Sequence, residues 1–319
     1  MTDKDRYRLL CDFEPSIPLF SQYWWLDSLV GSDGWDVVLV EKNGNIVASM
    51  PYVFKRRYGL VFIGNALLTQ SLGPWIRDTG GKEATRIARQ TDLLHQIIER
   101  MPKFSSFNQS WNPNQTNWLP FYWAGFSQTT RYTYVIKSIS DLSIVWDGFA
   151  SSYRNKVSNA QKLLSVRTDI NIEEFYRVNM LTFKRQGMRE PYSLELLRAH
   201  DSALSLRNKR CIFSAHDELG RIHSVLYLVW HQDTAYVHMV GEDPELRKSG
   251  AGLLLIWEAI RFSSEQLNID RFDFEGSMIR SVERVRRDCG ASQVPYFVIS
   301  KTPSKLVKLG FCLSSILRI

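Results

Sequence analysis

Six consecutive residues in the last third of the chain have the types and spacing to hold an anion. They are Arg247-Lys248-Ser249-Gly250-Ala251-Gly252. The two glycines lack side chains, so backbone N–H groups can close around phosphate oxygens. An apolar helical pattern begins at Leu253, which places these amides at a helix N-terminus, where the helix dipole favours negative charge. The pattern therefore predicts a phosphate-binding loop.

The surroundings of the loop restrict its type. The strand pattern Ala235–Val240 precedes it, and the helix that follows buries an apolar face. A dinucleotide-binding loop has the spacing GxGxxG directly after its first strand, and a P-loop has GxxxxGK followed by Ser or Thr. This chain has neither spacing. It has R-x-x-G-x-G between a strand and a helix.

Two carboxylates form a second candidate group. Asp273 and Glu275 stand at the end of the buried strand pattern Ile269–Phe274, and strand alternation places them on the same side. A carboxylate can accept the proton that an amine loses when it attacks a carbonyl carbon. An acidic pair at a strand end also caps turns and helices, and Ser277 has the same two interpretations of substrate contact and helix cap.

Repeated hairpins suggest how these groups are positioned. Val37–Phe54 has strand patterns around the turn Asn43-Gly44, and Cys211–Trp230 has them around a turn that ends at Gly220. Gly125-Phe126-Ser127-Gln128 is similarly echoed by Gly290-Ala291-Ser292-Gln293. Two matches in the same order favour duplication of one unit. We predict a mixed α/β fold with two lobes, residues 1–140 and 141–319.

Three helices are predicted after the boundary. Their apolar residues recur at spacings of three, four and seven. The helices cover about Asp141–Leu164, Ile172–Gln186 and Ser193–Leu206. The fold class is therefore α/β, with helices flanking mostly antiparallel sheets in both lobes.

Composition narrows the class of partner. The net charge is +7 and the sequence pI is about 9.2, which favours an anionic partner such as a phosphorylated cofactor, tRNA or an acidic membrane surface. The four cysteines are widely spaced and have no partners at metal-ligand spacing. Met1–Leu10 lacks the apolar run of a signal peptide, and no stretch has the ~20 apolar residues of a spanning helix. We therefore expect a cytoplasmic protein without a metal.

The loop and the segment after it resemble a known family. R-x-x-G-x-G between a strand and a helix resembles the pyrophosphate loop of GNAT acyltransferases, which binds coenzyme A. Phe272-Asp273-Phe274-Glu275-Gly276-Ser277, followed by Gly290-Ala291 and Pro295-Tyr296-Phe297, resembles the C-terminal signature of the FemAB-like branch, whose members are tandem GNAT lobes. The resemblance spans nearly the whole chain. Residues 1–140 lack R-x-x-G-x-G, which marks that lobe as degenerate for cofactor binding.

The resemblance implies roles for individual residues. In the family, an acyl thioester lies in a V-shaped split between two parallel strands, and backbone amides hold its carbonyl. Here that strand is Tyr236–Val240, so Met239 and Val240 join the six loop residues as cofactor contacts. Glu275 and Asp273 become candidate bases.

The family's leaving-group acid is absent from its usual place. A tyrosine is common about four residues before the glycine that ends the last helix, and Arg286 stands there instead. Tyr296 is then a substitute acid. Protonation by water and a donor that is not a free thioester are the other two interpretations.

The predicted activity is acyl-coenzyme A-dependent N-acyl transfer to a small molecule, an amino sugar or a cell-envelope precursor. The alternative is transfer of an aminoacyl group from tRNA. A third interpretation is a binding protein that kept the shape without activity. The tail from Lys305 to Ile319 has apolar and basic residues that predict either packing on its own domain or peripheral contact with a membrane, which would bring a lipid-linked acceptor close.

Overall fold

Two compact units make up the chain in the computed structural model, which describes residues 1–309. The first unit contains Met1–Arg131 and the segment that begins at Pro295, and the second contains Tyr132–Val294. The boundary predicted between residues 140 and 141 stays a prediction. Residues 310–319 of the predicted tail lie outside the described part of the chain.

The first unit begins with helices and continues with a sheet. Its elements are α1 (Asp3–Phe13), a 3-10 turn (Leu19–Ser21), α2 (Tyr23–Val30), β1 (Trp35–Lys42), β2 (Asn45–Arg57), β3 (Leu60–Gly64), β4 (Trp75–Ile76), α3 (Glu83–Arg100), β5 (Ser106–Ser110) and α4 (Leu119–Trp123). The strand β6 (Ser127–Ile136) leads into the second unit.

The second unit contains most of the remaining elements. They are α5 (Leu142–Gly148), α6 (Ser151–Leu163), β7 (Ser165–Arg167), α7 (Ile172–Arg185), α8 (Leu194–Ser205), β8 (Arg210–His216), β9 (Ile222–His231), β10 (Thr234–Glu242), a 3-10 turn (Arg247–Ser249), α9 (Ala251–Glu265), β11 (Arg271–Asp273) and α10 (Arg280–Asp288). The last strand, β12 (Ser292–Lys301), leads back into the first unit.

The same succession of strand pairings occurs in both units. In the first unit β1, β2 and β3 are antiparallel neighbours, β3 and β5 are parallel, and β5 is antiparallel to β12. In the second unit β8, β9 and β10 are antiparallel neighbours, β10 and β11 are parallel, and β11 is antiparallel to β6. A helix connects the two parallel strands in each case. The predicted mixed α/β class is confirmed, and the repeated pairing agrees with duplication.

Both predicted hairpins are present. Asn43 and Gly44 have φ values of 53° and 77° and join β1 to β2, because these two residues tolerate the left-handed region that a tight hairpin requires. Gly220, with φ of 76°, closes the turn between β8 and β9. Helices α7 and α8 begin where the side chains of Asn171 and Ser193 accept hydrogen bonds from backbone amides, as expected of N-caps.

The single helix predicted for Asp141–Leu164 is wrong. The helix breaks at Phe149 and Ala150, which have extended backbone with ψ of 139°. The amide of Ala150 donates instead to the carbonyl of Asp288 at the end of α10, 2.8 Å away. A long-range contact thus replaces the helical hydrogen bond at this point, and the apolar spacing continues on both sides of the break.

Each unit has its own apolar core. The larger core cluster of the second unit packs α5, α6 and α9 against the sheet, and Trp257 lies 4.7 Å from Trp146 between ring centroids. The core of the first unit packs α3 and α4 against its own strands around Phe107, Trp111 and Phe121. Among the described residues, no helix is long and apolar enough to cross a membrane.

Candidate active site

The two parallel strands of the second unit separate beside the glycine loop. Thr234–Tyr236 of β10 pairs with Arg271–Asp273 of β11. Beyond Tyr236, β10 continues to Glu242, whereas β11 ends at Asp273. The parallel ladder therefore covers only the first part of β10 and leaves its last part open on that side. This geometry matches the split that the resemblance implies.

A β-bulge lies where the strands part. The register between β10 and β9 shifts between Val237 and Met239, so His238 is the extra residue. A bulge redirects a side chain and increases local twist, and bulges are frequent beside active sites. Here it gives His238 a buried position with only 1% of its side chain exposed.

The predicted phosphate loop forms the N-terminus of α9. Gly250 has φ of 78° and ψ of 10°, a left-handed conformation that favours glycine, and it joins the 3-10 turn to the helix. A Cβ at Gly250 would lie 3.1 Å from the carbonyl oxygen of Lys156 on α6. The Ala251 amide donates to Ser249 Oγ at 3.3 Å. The Gly252 amide also belongs to the first turn, where a helix offers no intrahelical acceptor, so it is available to an anion. The loop geometry thus fits a phosphate.

The charged residues of the loop are partly engaged. Arg247 Nε donates to Glu242 Oε2 at 2.7 Å, and both side chains are partly exposed. A Cβ at Gly252 would lie 3.4 Å from the other oxygen of that carboxylate. Glu242 therefore stands beside the loop where it would repel a phosphate, and Arg247 offsets its charge. Lys248 is exposed.

Glu275 occupies a strained turn directly after β11. Its φ is 45°, which is uncommon for a residue other than glycine and is typical of functional positions. Gly276 follows, and a Cβ there would lie 1.7 Å from the carbonyl oxygen of Tyr132 and 2.6 Å from Cα of Thr133. The turn is therefore pressed against β6, and only glycine allows this approach.

Asp273 stabilises the same turn through hydrogen bonds. Its Oδ1 accepts hydrogen bonds from Thr133 Oγ1 at 2.5 Å and from the Glu275 amide at 2.8 Å. Burial raises the pKa of Asp273 to about 6, and these hydrogen bonds oppose that rise. Asp273 is buried, and its two hydrogen bonds join Thr133 of β6 to the backbone of the Glu275 turn.

The carboxylate of Glu275 is paired with His238. Oε1 lies 2.9 Å from Nδ1 of the imidazole, and 15% of the Glu275 side chain is exposed. The pair joins the turn after β11 to the bulge of β10, so it spans the opening of the split. A partly exposed carboxylate at this place has access to a substrate amine.

Arg286 stands where the family commonly has a tyrosine, and in this chain it contacts the Glu275 turn. Arg286 Nε donates to the backbone carbonyl of Glu275 at 3.3 Å, and burial lowers the pKa of this guanidinium. Arg286 therefore helps to hold the Glu275 turn. Tyr296 is buried on β12 in the first unit, whereas Glu275 and Asp273 belong to the second. Burial raises the pKa of the Cys289 thiol to about 12, which makes it a poor nucleophile.

Helix α7 covers the open edge of β10. The Asp243 amide donates to the His223 carbonyl of β9, so by strand alternation the backbone groups of Val240 and Glu242 point away from β9. Asn179 Nδ2 donates to the Val240 carbonyl at 2.6 Å, and the Glu242 amide donates to Thr182 Oγ1 at 3.1 Å. Side chains of α7 thus occupy the groups that a thioester arm would use at this edge.

Sequence reasoning missed several residues of this site. The strand pattern around His238 indicates only packing, and at Arg286 the sequence shows only that the usual tyrosine is absent. Asn179 and Thr182 fall within the predicted helix Ile172–Gln186, and their spacing indicates no role. The signal available for α7 was its polar residues within a buried stretch, but nothing local indicated their partner. Among the described residues, no group of three or more His, Cys, Asp and Glu side chains is arranged to hold a metal ion.

Comparison with known proteins finds a family domain in the second unit and similar folds for the chain. Residues 149–280 match the model of the acetyltransferase (GNAT) domain. The structure of FemX matches with a TM-score of 0.66 and 12% identity, over 93% of this chain and 96% of FemX. L-PGS from Bacillus licheniformis matches with a TM-score of 0.57 and 10% identity, over 98% and 96%. A tandem GNAT protein from the clavulanic acid biosynthesis pathway matches with a TM-score of 0.50 and 10% identity, over 84% and 83%. No curated protein matches the chain in sequence.

The second unit thus contains a GNAT-type acetyltransferase domain, and the chain is an acyltransferase. Its two-unit fold is similar to that of FemX and of the tandem GNAT protein. The predicted GNAT-type domain and the predicted enzyme class are confirmed. Donor, acceptor and individual site residues stay predictions.

Proposed function

We propose that this chain transfers an acyl group from acyl-coenzyme A to an amine, with Glu275 as the base. The observation that carries the proposal is the left-handed Gly250 at the N-terminus of α9, next to the opening between β10 and β11. The helix dipole and the Gly252 amide favour a diphosphate, and the Ala251 amide joins them when it exchanges its bond to Ser249 Oγ for a phosphate oxygen. Arg247, Lys248 and Ser249 line the same loop.

The transfer step follows from the side chains around the split. The amine nitrogen bonds to the acyl carbon, the bond from that carbon to the thiol sulfur breaks, and Glu275 accepts the proton lost by nitrogen. The Val240 N–H points into the opening with its carbonyl, so it can donate to the developing oxyanion, and Met239 precedes it on the strand. Since Arg286 replaces the usual tyrosine, water protonates the leaving thiolate in this proposal.

A second candidate function has an observation of its own. Asn179 and Thr182 occupy backbone groups of Val240 and Glu242, so a thioester arm must displace them before it can lie along β10. A donor that reaches the split without such an arm avoids this cost. This favours an aminoacyl-tRNA donor, which the net charge of +7 would also attract.

The proposed acceptor is an amine on a small molecule, an amino sugar or a lipid-linked cell-envelope precursor. A cleft of about 280 Å³ on α7 and the residues after it contains Arg177, Lys184 and Arg189 beside Met180 and Met188. The three cations outnumber the single carboxylate of Glu190, and with the exposed thioether of Met188 they suit an acceptor with an anionic group and an apolar part. Peripheral membrane contact and a cytoplasmic location remain part of this proposal.

Thermal stabilisation and thiol release test the donor and the base together. We expect coenzyme A and acetyl-coenzyme A to raise the Tm of the purified chain, and Glu275→Gln to lower amine-dependent thiol release by about 10²–10⁴-fold. Glu283→Gln on α10 is the matched control. An absence of any coenzyme A response, together with specific binding of charged tRNA, would replace the first candidate by the second. Equal activity of Glu275→Gln and the unaltered chain would remove Glu275 as the base.

A further inference from the structure

The buried imidazole of His238 contacts a carboxylate, unlike a histidine that only packs against apolar side chains. Its imidazole is almost entirely buried, and its Nδ1 lies 2.9 Å from the Glu275 carboxylate. In the tautomer protonated at Nδ1, the imidazole donates this hydrogen bond to the carboxylate.

Two further rings, those of His200 and Tyr227, pack beside the His238 imidazole. His200 of α8 and Tyr227 of β9 lie 5.7 and 6.1 Å from it between ring centroids. Burial lowers the pKa of His200 well below its usual range and raises that of Tyr227 far above it, so both stay neutral. Tyr227 donates to Asp201 at 2.7 Å, and Asp201 is paired with Arg210. This network holds the His238 ring in place.

Backbone strain at Glu275 gives an independent reason to assign a role to the pair. A residue other than glycine with φ of 45° is strained and persists when its surroundings enforce it. Asp273 and Arg286 fix the backbone of the turn through the Glu275 amide and carbonyl. Neither contact fixes the side chain. Among the described residues, His238 is the hydrogen-bond partner of the carboxylate itself.

We propose that His238, with its proton on Nδ1, is the positioning residue of the reaction and orients the Glu275 carboxylate toward the acceptor amine. The inference rests on the proposed role of Glu275 as the base. Through this hydrogen bond His238 fixes the direction of the carboxylate. It does so from the β10 bulge and does not touch the reacting atoms.

The test compares two substitutions of His238 in the full chain. His238→Asn keeps an N–H donor near the position of Nδ1, whereas His238→Leu removes it. Amine-dependent thiol release from acetyl-coenzyme A, with amino sugars and amino acids as acceptor probes, is measured together with the Tm. We expect His238→Leu to lose about 10–100-fold in kcat with little change in KM. On a logarithmic scale, His238→Asn should recover at least half of the decrease in kcat that His238→Leu causes.

The double variant separates the two levels of the proposal. If His238 acts through Glu275, His238→Leu should cost less than threefold in a Glu275→Gln background, because the partner is already lost. Multiplicative effects of the two substitutions, or a loss in His238→Leu that His238→Asn does not recover, would overturn the positioning role. Full activity of Glu275→Gln would instead reject the proposed base.

A second measurement does not depend on turnover. In 15N-histidine NMR spectra of the unliganded chain, the His238 ring should show the tautomer protonated at Nδ1, with its signals assigned by their loss in His238→Asn. A ring protonated at Nε2 alone would overturn the inference, since such a ring has no proton to donate to Glu275.

Discussion

The Nδ2 atom of Asn179 lies 2.6 Å from the carbonyl oxygen of Val240, and this bond joins α7 to the open edge of β10. Tyr192 donates to Oδ1 of the same amide at 2.6 Å, which fixes the orientation of the Asn179 side chain. A helix side chain thus takes the place that a further strand or a ligand would otherwise have.

Removal of this contact should strengthen binding of coenzyme A. Asn179→Ala frees the Val240 carbonyl, and a hydrogen bond of about 1 kcal/mol no longer competes with the ligand, so we expect the Kd to fall about fivefold. Isothermal titration calorimetry of the purified chain measures the change. Tyr192→Phe, which keeps the Asn179–Val240 bond, is the control and should have a smaller effect. A Kd that does not fall in Asn179→Ala would show that the arm does not run along this edge.

Substitution of Gly250 should abolish binding of the diphosphate. Gly250→Ala places a Cβ 3.1 Å from the Lys156 carbonyl and strains a backbone with φ of 78°. Gly220→Ala is a close match, since its φ is 76° and nothing lies within 4 Å of the added Cβ. Both substitutions should lower stability by about 1–2 kcal/mol. Loss of the coenzyme A-induced rise in Tm should occur only at Gly250, and the same loss at Gly220 would indicate a general folding defect.

The buried Asp273 should make stability depend on pH. Because its pKa is raised from 3.8 to about 6, the folded chain binds more protons than the unfolded chain between these values. The stabilising effect of the protonated form is complete below pH 3.8 and is lost as pH rises through about 6. The unfolding free energy should therefore fall by on the order of 2–3 kcal/mol across this window. Asp273→Asn should flatten the dependence in urea unfolding measured from pH 4 to 7, and a parallel curve for both chains would contradict the assignment.

Gly276 should tolerate no side chain. A Cβ 1.7 Å from the Tyr132 carbonyl meets backbone on β6, which cannot move aside as a side chain can. We expect Gly276→Ala to lower the free energy of unfolding by about 3 kcal/mol or more. Gly44→Ala has open space around the added Cβ and serves as the control, with a cost of about 1 kcal/mol from its positive φ. Similar losses at the two positions would mean that the β6 contact is not formed.

Much of the fold was readable because its signals are local. Asn43-Gly44 specifies a hairpin by itself, and the spacing of Gly250 and Gly252 between a strand pattern and a helix pattern indicates an anion site. The buried strand before Asp273 was readable from its apolar residues, although its alternation does not extend to Glu275, which lies in a turn with φ of 45°. These features depend on a few neighbouring residues, so their prediction requires no knowledge of tertiary contacts.

The remaining features depend on distant residues. His238 and Glu275 are 37 positions apart, and a bulge sets the direction of His238. The break at Ala150 arises from the Asp288 carbonyl at the end of α10. The covered edge of β10 depends on where α7 lies. Periodicity describes which face of an element is buried, but it does not say which polar group on another element will meet it.

The pairing of β5 with β12 has a consequence for synthesis on the ribosome. β5 is translated early. Its antiparallel neighbour β12, which pairs with residues 107–110 of β5, is translated only after nearly all of the second unit. During that interval β5 presents an unpaired edge, which is a template for aggregation. The nascent amino-terminal unit must therefore be sheltered, or stay incomplete, until the last strand emerges from the exit tunnel.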